Sequence, residues 1–556
     1  MARMPSRRTL LVVGGLVMAA VVTAAVIVAA RDDAPPAVEV QLLALNDFHG
    51  NLEPPSGSSG RIGGVEAGGV EFLATQLRLL AEEAARPDTI TVAAGDLIGA
   101  SPLLSAAFHD EPTAEALGLA GLDLASVGNH EFDDGSDELR RIQNGGCHPQ
   151  DGCADPARPY GGAAFQYLSA NAFVTSSGQP LLPPYAVREV QGVRIGFIGM
   201  TLEGTPDIVT QAGISGLGFG DEAETANRYA AELQAEGVQA IVVLLHEGGA
   251  QNGGDDVNGC ANLAGPIVDI VPRFSKAIDV VVSGHTHQAY NCVLDGRVVT
   301  SASSFGRLVT DIDLRIDPAS GDVVDARARN IVVAHDVAPD AAQKELIGRY
   351  RTLLGPVAAE EVGETSAAIT RAAGPSGETP LGDLIADAQL SATDDEQGAV
   401  AAFMNPGGVR ADLGAGPVTY EEAFTVQPFG NYLTTLDLTG AQLDCLLEQQ
   451  FVTERMLQPS AGVRYTVRQA GTPGTASDPC AGTKVDGIVV GGVPVDPAGA
   501  YRITVNSFLA GGGDGFSVLT EGANDVVGGP DLDAFVAYLG ANRPTAPPAT
   551  DRITVG

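Results

Sequence analysis

Tryptophan is absent from this chain of 556 residues, and lysine occurs only at positions 276, 344 and 484. The missing tryptophan bears on no functional reading, whereas the shortage of positive charge does. Basic residues number 32 against 69 acidic ones, for a formal net charge of −37. A field of that sign opposes DNA, RNA and anionic membrane surfaces, which weighs against nucleic-acid polymers as main substrates. A small anion is not excluded, because metal ions and a few arginines outweigh the global field inside a cleft. The six cysteines, Cys147, Cys153, Cys260, Cys292, Cys445 and Cys480, contain no CxxC pair. Disulfides are the better reading of them. No long apolar run appears near the C-terminus.

One such run lies at the N-terminus. Thr9 to Ala30 follows Arg3, Arg7 and Arg8 and precedes Arg31-Asp32-Asp33, the layout of an export signal. Val28-Ala29-Ala30 offers a small-residue cleavage site, and the run is also long enough to span a bilayer. A cleaved signal and a retained membrane anchor through residues 9–30 both fit. Ser6–Leu11 fits either a twin-arginine signal or a plain basic region. The expected location is therefore outside the cytoplasm: cell surface, periplasm or medium. Disulfides suit that location. Proximity along the chain suggests Cys147 with Cys153, Cys260 with Cys292 and Cys445 with Cys480, one of fifteen possible connectivities.

At this length two to four domains are expected, and 44% hydrophobic residues supply their cores. The runs VEVQLLAL, TITVAAG, LDLASVG, VRIGFIGM, VQAIVVLL and IDVVVSG alternate with helical patterns such as Gly69 to Ala84 and Asp221 to Glu236. That is an α/β layout. Five short motifs close runs of this kind: LNDFHGN with Asp47 and His49, AAGDLIG with Asp96, SVGNHEFDDG with Asn129, VVLLHEGG with His246, and VVSGHTHQ with His285 and His287. Ligands in α/β sheets gather beyond the carboxyl ends of strands, so these side chains are expected to meet in one polynuclear metal site. Two divalent ions roughly 3.5–4 Å apart clamp a phosphoryl oxygen and activate water, which takes a bridging carboxylate plus nitrogen and oxygen ligands for each ion. Asp96 is the expected bridge. Asp47, His49 and one histidine of GHTH complete one ion, and Asn129, His246 and the other histidine complete the second. The mixed donor set suits zinc, manganese or iron. His109, His148 and His335 stand in none of these motifs and read as ordinary surface or loop residues.

The order DxH, GD, GNHE, H and GHTH resembles the calcineurin-like metallophosphoesterases, and residues 38–541 as a whole resemble the secreted two-domain 5'-nucleotidases. The resemblance implies an N-terminal αββα sandwich, a helical linker and a C-terminal α/β nucleotide-binding domain. It also implies that His130 and Asp133 form a catalytic pair beside the metals, the imidazole hydrogen-bonding the transferring phosphoryl oxygens and the leaving group. The expected layout is an export segment over 1–37, a catalytic domain over 38–337, a linker and hinge over 338–363, a C-terminal domain over 364–541 and a tail over 542–556. The tail, rich in proline and alanine, reads as more spacer than core.

Three motifs, MNPGGVRADL, TVQPFGNYL and NSFLAGGGDGF, resemble the family's C-terminal domain. Matched residue by residue, Asn405 and Arg410 contact the phosphate or ribose side, and Phe429 and Phe508 sandwich the base. Asn431 lies at the base edge, Asp514 holds ribose hydroxyls, and Arg371 is a further phosphate ligand. Stacking on an aromatic face contributes about 1–3 kcal/mol and accepts any base, while a guanidinium binds phosphate bidentately. Read without the resemblance, the two phenylalanines fit as core aromatics and GGGDG as a loop.

The expected protein is thus an exported dinuclear-metal phosphohydrolase that releases phosphate from nucleoside 5'-monophosphates, with a small nucleotide as its partner and no protein partner evident. The resemblance also brings alternatives: 2',3'-cyclic nucleotides, 3'-nucleotides and UDP-sugars. A non-catalytic surface binding protein is the alternative of another class. Loss of a metal ligand or of His130 and Asp133 would favour it, and none is lost.

Overall fold

The computed structural model describes residues 36–55, 60–84, 89–210, 213–252 and 256–556. The export signal expected at the N-terminus lies, up to residue 35, outside the described residues. Among the described residues no helix is long and apolar enough to cross a membrane.

The inner parallel strands of the first half are apolar almost throughout because they are covered on both faces. Val38–Leu45 runs between the antiparallel strand Leu308–Ile316 and the parallel strand Thr89–Ala94, and its last six residues are buried. The sheet continues through the parallel strands Leu124–Ser126 and Gln166–Leu168 and ends at its other edge with Val323–Val332. A second sheet of six strands is centred on Val193–Thr201, Ala240–His246 and Val280–Ser283, all parallel. The two sheets face each other across a core of Val40, Leu42, Ile90 and Val92 from one and Phe197, Val242, Leu244 and Val280 from the other. Helices Val70–Glu83, Glu111–Leu119 and Ser136–Asn144 cover the outer face of the first sheet. Glu222–Ala235, begun by Asp221 accepting a bond from Glu224 N, covers the second. The result is the four-layered αββα sandwich expected from the sequence.

Register is what positions the functional loops. Ala94 pairs with Ser126 and Leu45 with Ala93 in the first sheet, and Thr201 pairs with His246 and Leu245 with Ser283 in the second. Five parallel strands therefore end level with one another, and the loops after Leu45, Ala94, Ser126, His246 and Ser283 leave from one edge.

The second half builds a five-stranded sheet in the order Gln458–Pro459, Ala401–Met404, Ala500–Asn506, Tyr432–Thr439 and Ala523–Pro530. Helices Pro380–Ser391 and Asp531–Ala541 pack together beside Met404, and Gly440–Thr453 packs in a separate core with Phe403, Leu436 and Ile503. Capping boxes at Thr419 with Glu422 and at Thr439 with Gln442 start two of its helices.

Two segments differ from expectation. The linker helix Ala341–Leu354 is docked on the first half, with Gln343 Nε2 donating to Ala116 O at 2.9 Å and Tyr350 5.0 Å from Phe108, ring to ring. Only the turn Gly355–Ala359 after it is left as connector. The supposed spacer at the C-terminus is part of the second half's core. Ile553–Val555 joins Val463–Val467 as a parallel strand, Glu378 accepts from Arg552 N and Ile553 N at 2.8 and 3.0 Å, and Arg552 binds both oxygens of Asp387 at 2.9 and 2.7 Å. Its composition concealed this because one buried arginine and one isoleucine, not an apolar run, anchor it.

Arg552 is 5% exposed, so Arg552→Ala leaves Asp387 facing an emptied site. The expected cost is about 3–5 kcal/mol, the usual scale for removing one partner of a buried ion pair. Urea unfolding of the variant and the parent protein measures it.

Candidate metal centre

The loops at the shared sheet edge turn sharply. Asp47, His49, Asp96, His285 and His287 have φ of 50°, 47°, 50°, 70° and 55°, a left-handed conformation that costs a non-glycine residue about 1–3 kcal/mol. Backbone bonds hold it in place: Asp47 N donates to Gly95 O and His49 N to Asp96 O, both at 3.0 Å. The glycines before Asp96, Asn129 and His285 have a steric reason. A Cβ at Gly128 would stand 2.1 Å from Asp96 Oδ1, and one at Gly284 would stand 2.6 Å from Ala94 O.

The seven expected ligands come together. Asp47, His49 and His287 form one group and Asp96, His246 and His285 an adjoining one, so the two GHTH histidines, which the sequence left open, stand in different groups. Asp96 Oδ2 lies 3.0 Å from His246 Nε2 and 3.6 Å from His49 Nε2, touching both groups. Asn129 Oδ1 is 3.2 Å from His246 Nε2. His49, Asp96 and His130 also lie within ligand spacing of one another.

The donor atoms fit divalent cations. His49 Nδ1 faces Gly99 O at 2.9 Å and His246 Nδ1 faces Ala94 O at 2.7 Å, so the backbone holds a proton on each Nδ1. Each Nε2 lone pair is then aimed at carboxylate oxygens, and His49 Nε2 also stands 3.1 Å from His287 Nε2. Electron pairs facing one another in a buried site call for a cation between them. Burial pushes the Asp47 carboxyl up to about 7. Burial also opposes charge on His246, yet Asp96 draws its pKa up to about 10. Burial holds His49 and His287 well below the usual imidazole range, in the neutral form that ligates.

His130 and Asp133 pair at 2.8 Å, Nδ1 to Oδ2. Burial works against charge on His130, but Asp133 and Asp96 together hold its pKa above the ordinary value. Sequence reasoning missed Glu131 between them. Its carboxylate accepts from Asp96 N at 2.9 Å, Leu97 N at 2.8 Å and Gly128 N at 2.5 Å, tying the GD loop to the GNHE loop. Burial and the Asp96 charge raise its pKa to about 7. The fourth letter of GNHE was the available signal.

The second half closes over this centre. A cavity of about 510 Å³ is lined at one end by Asp96, Asn129, His130, His285 and His287 and at the other by Asn405, Arg410, Phe429, Asn431, Phe508 and Asp514. Phe429 lies 5.7 Å from His130, ring to ring, at 26°, and Arg410 stands over its face. Both phenylalanines are half-buried on the cavity wall, and Phe508 also packs against the core of the second half. Arg410 Nη2 is buried without an acceptor, which an anion in the cavity would supply. Asn405 Nδ2 donates to Asp514 Oδ2 at 2.8 Å and Ser507 Oγ to Asn431 Oδ1 at 3.1 Å. Arg371 is not among the lining residues; it stands near Val409 O and Asp412, at 3.4 and 3.8 Å. Arg455, which no motif marked, does line the cavity, 3.4 Å from Asp514 Oδ1.

Face-to-face sheets with a buried carboxylate and imidazole cluster where their parallel strands end define a class, the metal-dependent phosphoester hydrolases. Residues 40–289 match the family model of the calcineurin-like phosphoesterases, and residues 358–521 match that of the 5'-nucleotidase C-terminal domain. The chain belongs to the calcineurin-like phosphoesterases that carry this second domain. It is 34% identical to endonuclease YhcR of Bacillus subtilis over 90% of this chain and 40% of that protein. It is 32% identical to cell wall protein Lmo0130 of Listeria monocytogenes over 90% of this chain and 67% of that one. The chain thus spans less than half of the first relative's length. Among solved structures, a 5'-nucleotidase precursor from Thermus thermophilus aligns over 93% of this chain and 99% of its own, with TM-score 0.75 and 27% identity.

Asp96 touches both ligand groups, so Asp96→Ala is expected to strip metal from both, whereas His49→Ala weakens mainly one. Metal analysis of the two purified variants checks this. Full metal content in a folded Asp96→Ala protein would remove Asp96 from its bridging role.

Proposed function

We propose that the protein is an exported phosphohydrolase that converts nucleoside 5'-monophosphates and water to nucleosides and phosphate. One observation carries this reading: the ligand cluster and the Phe429, Phe508 and Asp514 wall line the same cavity. A substrate bound there has its base against the second half and its phosphate at the first. Similarity to the Thermus 5'-nucleotidase precursor supports it.

Two divalent ions of the zinc, manganese or iron class are the proposed cofactors, held by Asp47, His49, Asp96 and His287 and by Asp96, Asn129, His246 and His285. When bound they supply Lewis acidity toward a phosphoryl oxygen and an activated water. The chain's own groups do the rest. Arg410 brings a buried guanidinium with a free donor to the phosphate. His130, kept protonated by Asp133, donates from Nε2 to the phosphoryl group and to the oxygen of the departing nucleoside. Phe429 and Phe508 hold the base, Asn431 its edge, and Asn405 and Asp514 the ribose. Phe429 against His130 keeps bulk water from the reacting end. The turn Gly355–Ala359 is the proposed pivot for substrate entry, and Arg351, bonded to Glu53 of the first half and Glu421 of the second, is the latch.

The relative named endonuclease keeps a nucleic-acid chain in view as substrate, but the net charge of −37 weighs against it. Arg455 beside Asp514 favours a second reading, an ester with its phosphate at the ribose 2' or 3' position, since it brings positive charge to the ribose end. Export is supported by the three disulfides Cys147–Cys153, Cys260–Cys292 and Cys445–Cys480. A panel of 5'-, 3'- and 2',3'-cyclic nucleotides assayed for phosphate release, with and without chelator, ranks these readings.

In that assay His130→Ala is expected to keep its metal and lose roughly two to four orders of magnitude in kcat, the scale for a group that acts in the transition state. Near-normal turnover of a metal-replete variant contradicts the role.

Replacing both Phe429 and Phe508 by Ala is expected to cost about 2–4 kcal/mol in kcat/KM for AMP, from stacking of about 1–3 kcal/mol per face with imperfect additivity. A small aryl phosphate that does not reach the sandwich should lose far less. Equal losses on both substrates mean the two rings do not hold the base.

A further inference from the structure

Arg455 belongs to none of the three motifs of the second half, yet its side chain lines the cavity with Nε 3.4 Å from Asp514 Oδ1. The other oxygen of that carboxylate, Oδ2, accepts from Asn405 Nδ2 at 2.8 Å. Asp514 is thus gripped at both oxygens while it lines the cavity wall. We infer that Arg455 is a positioning residue for sugar selectivity: with Asn405 it holds the Asp514 carboxylate as a two-point acceptor for adjacent hydroxyls, so that the site takes ribonucleotides in preference to 2'-deoxyribonucleotides. The inference rests on the nucleotide reading of the cavity.

A carboxylate offers about four lone-pair directions. One partner at each oxygen leaves each oxygen able to take another donor. Two acceptor oxygens side by side match the 2' and 3' hydroxyls of a ribose, which lie on the same face of the ring. A 2'-deoxyribose supplies one of the two donors and leaves an oxygen short in a place where Asp514 is only 7% exposed, which is how a polar site rejects an analogue that lacks a hydroxyl. Held by Asn405 alone, the carboxylate is free to turn about its broad terminal torsion and no longer presents both oxygens together. Arg455 stops that rotation. Its charge also offsets the repulsion between Asp514 and a substrate phosphate, but that effect acts on both sugars alike, so the ratio between them isolates the orientation.

Both grips are themselves fixed. Arg455 follows the helix Gly440–Thr453 across Glu454, whose φ is 57°. Gln450 pins this turn by accepting from Arg455 N at its backbone oxygen, 3.1 Å, and from Leu457 N at Oε1, 2.8 Å. The loop that carries Asp514 lies against the same helix end, since a Cβ at Gly515 would stand 2.9 Å from Thr453 Cγ2. On the other side Asn506 Nδ2 donates to Asn405 Oδ1 at 2.9 Å, and Asn506 Oδ1 accepts from Leu509 N at 2.9 Å, capping the short helix that carries Phe508. One network therefore holds the carboxylate and the aromatic wall in a single frame.

An ester with its phosphate on the ribose would draw the same guanidinium away from Asp514. The two uses of Arg455 therefore give different results with 3'-AMP.

The test compares AMP, 2'-deoxy-AMP and 3'-AMP as substrates of the metal-loaded full chain, and adenosine with 2'-deoxyadenosine as ligands by calorimetry. The parent protein is expected to favour AMP over 2'-deoxy-AMP by roughly 10- to 100-fold in kcat/KM, the worth of one hydrogen bond to a charged group. Arg455→Ala is expected to shrink that ratio by roughly fivefold or more, slowing AMP more than 2'-deoxy-AMP, and the ratio of the two nucleoside affinities is expected to shrink with it. Circular dichroism confirms folding, and if Arg455→Ala does not fold, Arg455→Gln is held to the same ratio. An unchanged ratio, equal losses on the two sugars, no ribose preference in the parent protein, or a loss greatest for 3'-AMP overturns the inference. Absence of turnover on every 5'-nucleotide, together with an Arg455-dependent preference for adenosine in binding, overturns the nucleotidase reading and leaves the sugar selectivity standing.

Discussion

Two carboxylates, Asp47 and Asp96, are buried to 0% and 2% exposure at the edge where the parallel strands of both sheets end. Carrying charge there without a counterion costs many kcal/mol. The groups that surround them are imidazoles and the amides of Asn46 and Asn129, with the Nδ1 protons of His49 and His246 drawn away to Gly99 O and Ala94 O. Divalent cations are the natural completion of such a cluster, and much else follows from that demand. Left-handed ligand residues, glycines at Gly95, Gly128 and Gly284, and the Glu131 carboxylate under the loops all serve to hold ligand atoms where a cation needs them.

On the proposed reading, selectivity comes from the second half of the chain. Arg410 brings a buried donor without an acceptor, and Phe429 brings an aromatic face against His130. Neither completes a site on its own half. The docked helix Ala341–Leu354 shortens the free connection to a few residues, and Arg351 grips acidic groups on both sides of it. Reach across the chain is therefore short, and the cavity owes its shape to how the halves meet.

Acidic surface and enclosed cavity are consistent with each other. The overall field repels polyanions, while within the cavity a few arginines and the cations reverse the local sign. Arg455 shows how fine that local balance is, since its guanidinium stands 3.4 Å from Asp514 Oδ1 on the cavity wall.

Much of this was legible in the sequence because metal ligands follow strand ends, and a strand end is visible as an apolar run meeting a glycine and an aspartate or histidine. That Asp47, His49, Asp96, Asn129, His246, His285 and His287 would gather was read in that way, as was the αββα layering, since period and burial are local properties of the chain. The C-terminal strand Ile553–Val555 was not, because a single buried arginine pair and the Glu378 carboxylate hold it, and pairing across such distances leaves no local pattern. Nor could the sequence assign His287 to Asp47 and His285 to Asp96, or bring His109 beside His148. Those are decided by the direction in which side chains leave loops at particular φ, and by which loops lie next to one another. Types and order of the candidate ligands were set by the sequence; which of them stand together was set only when two sheets ended at one edge.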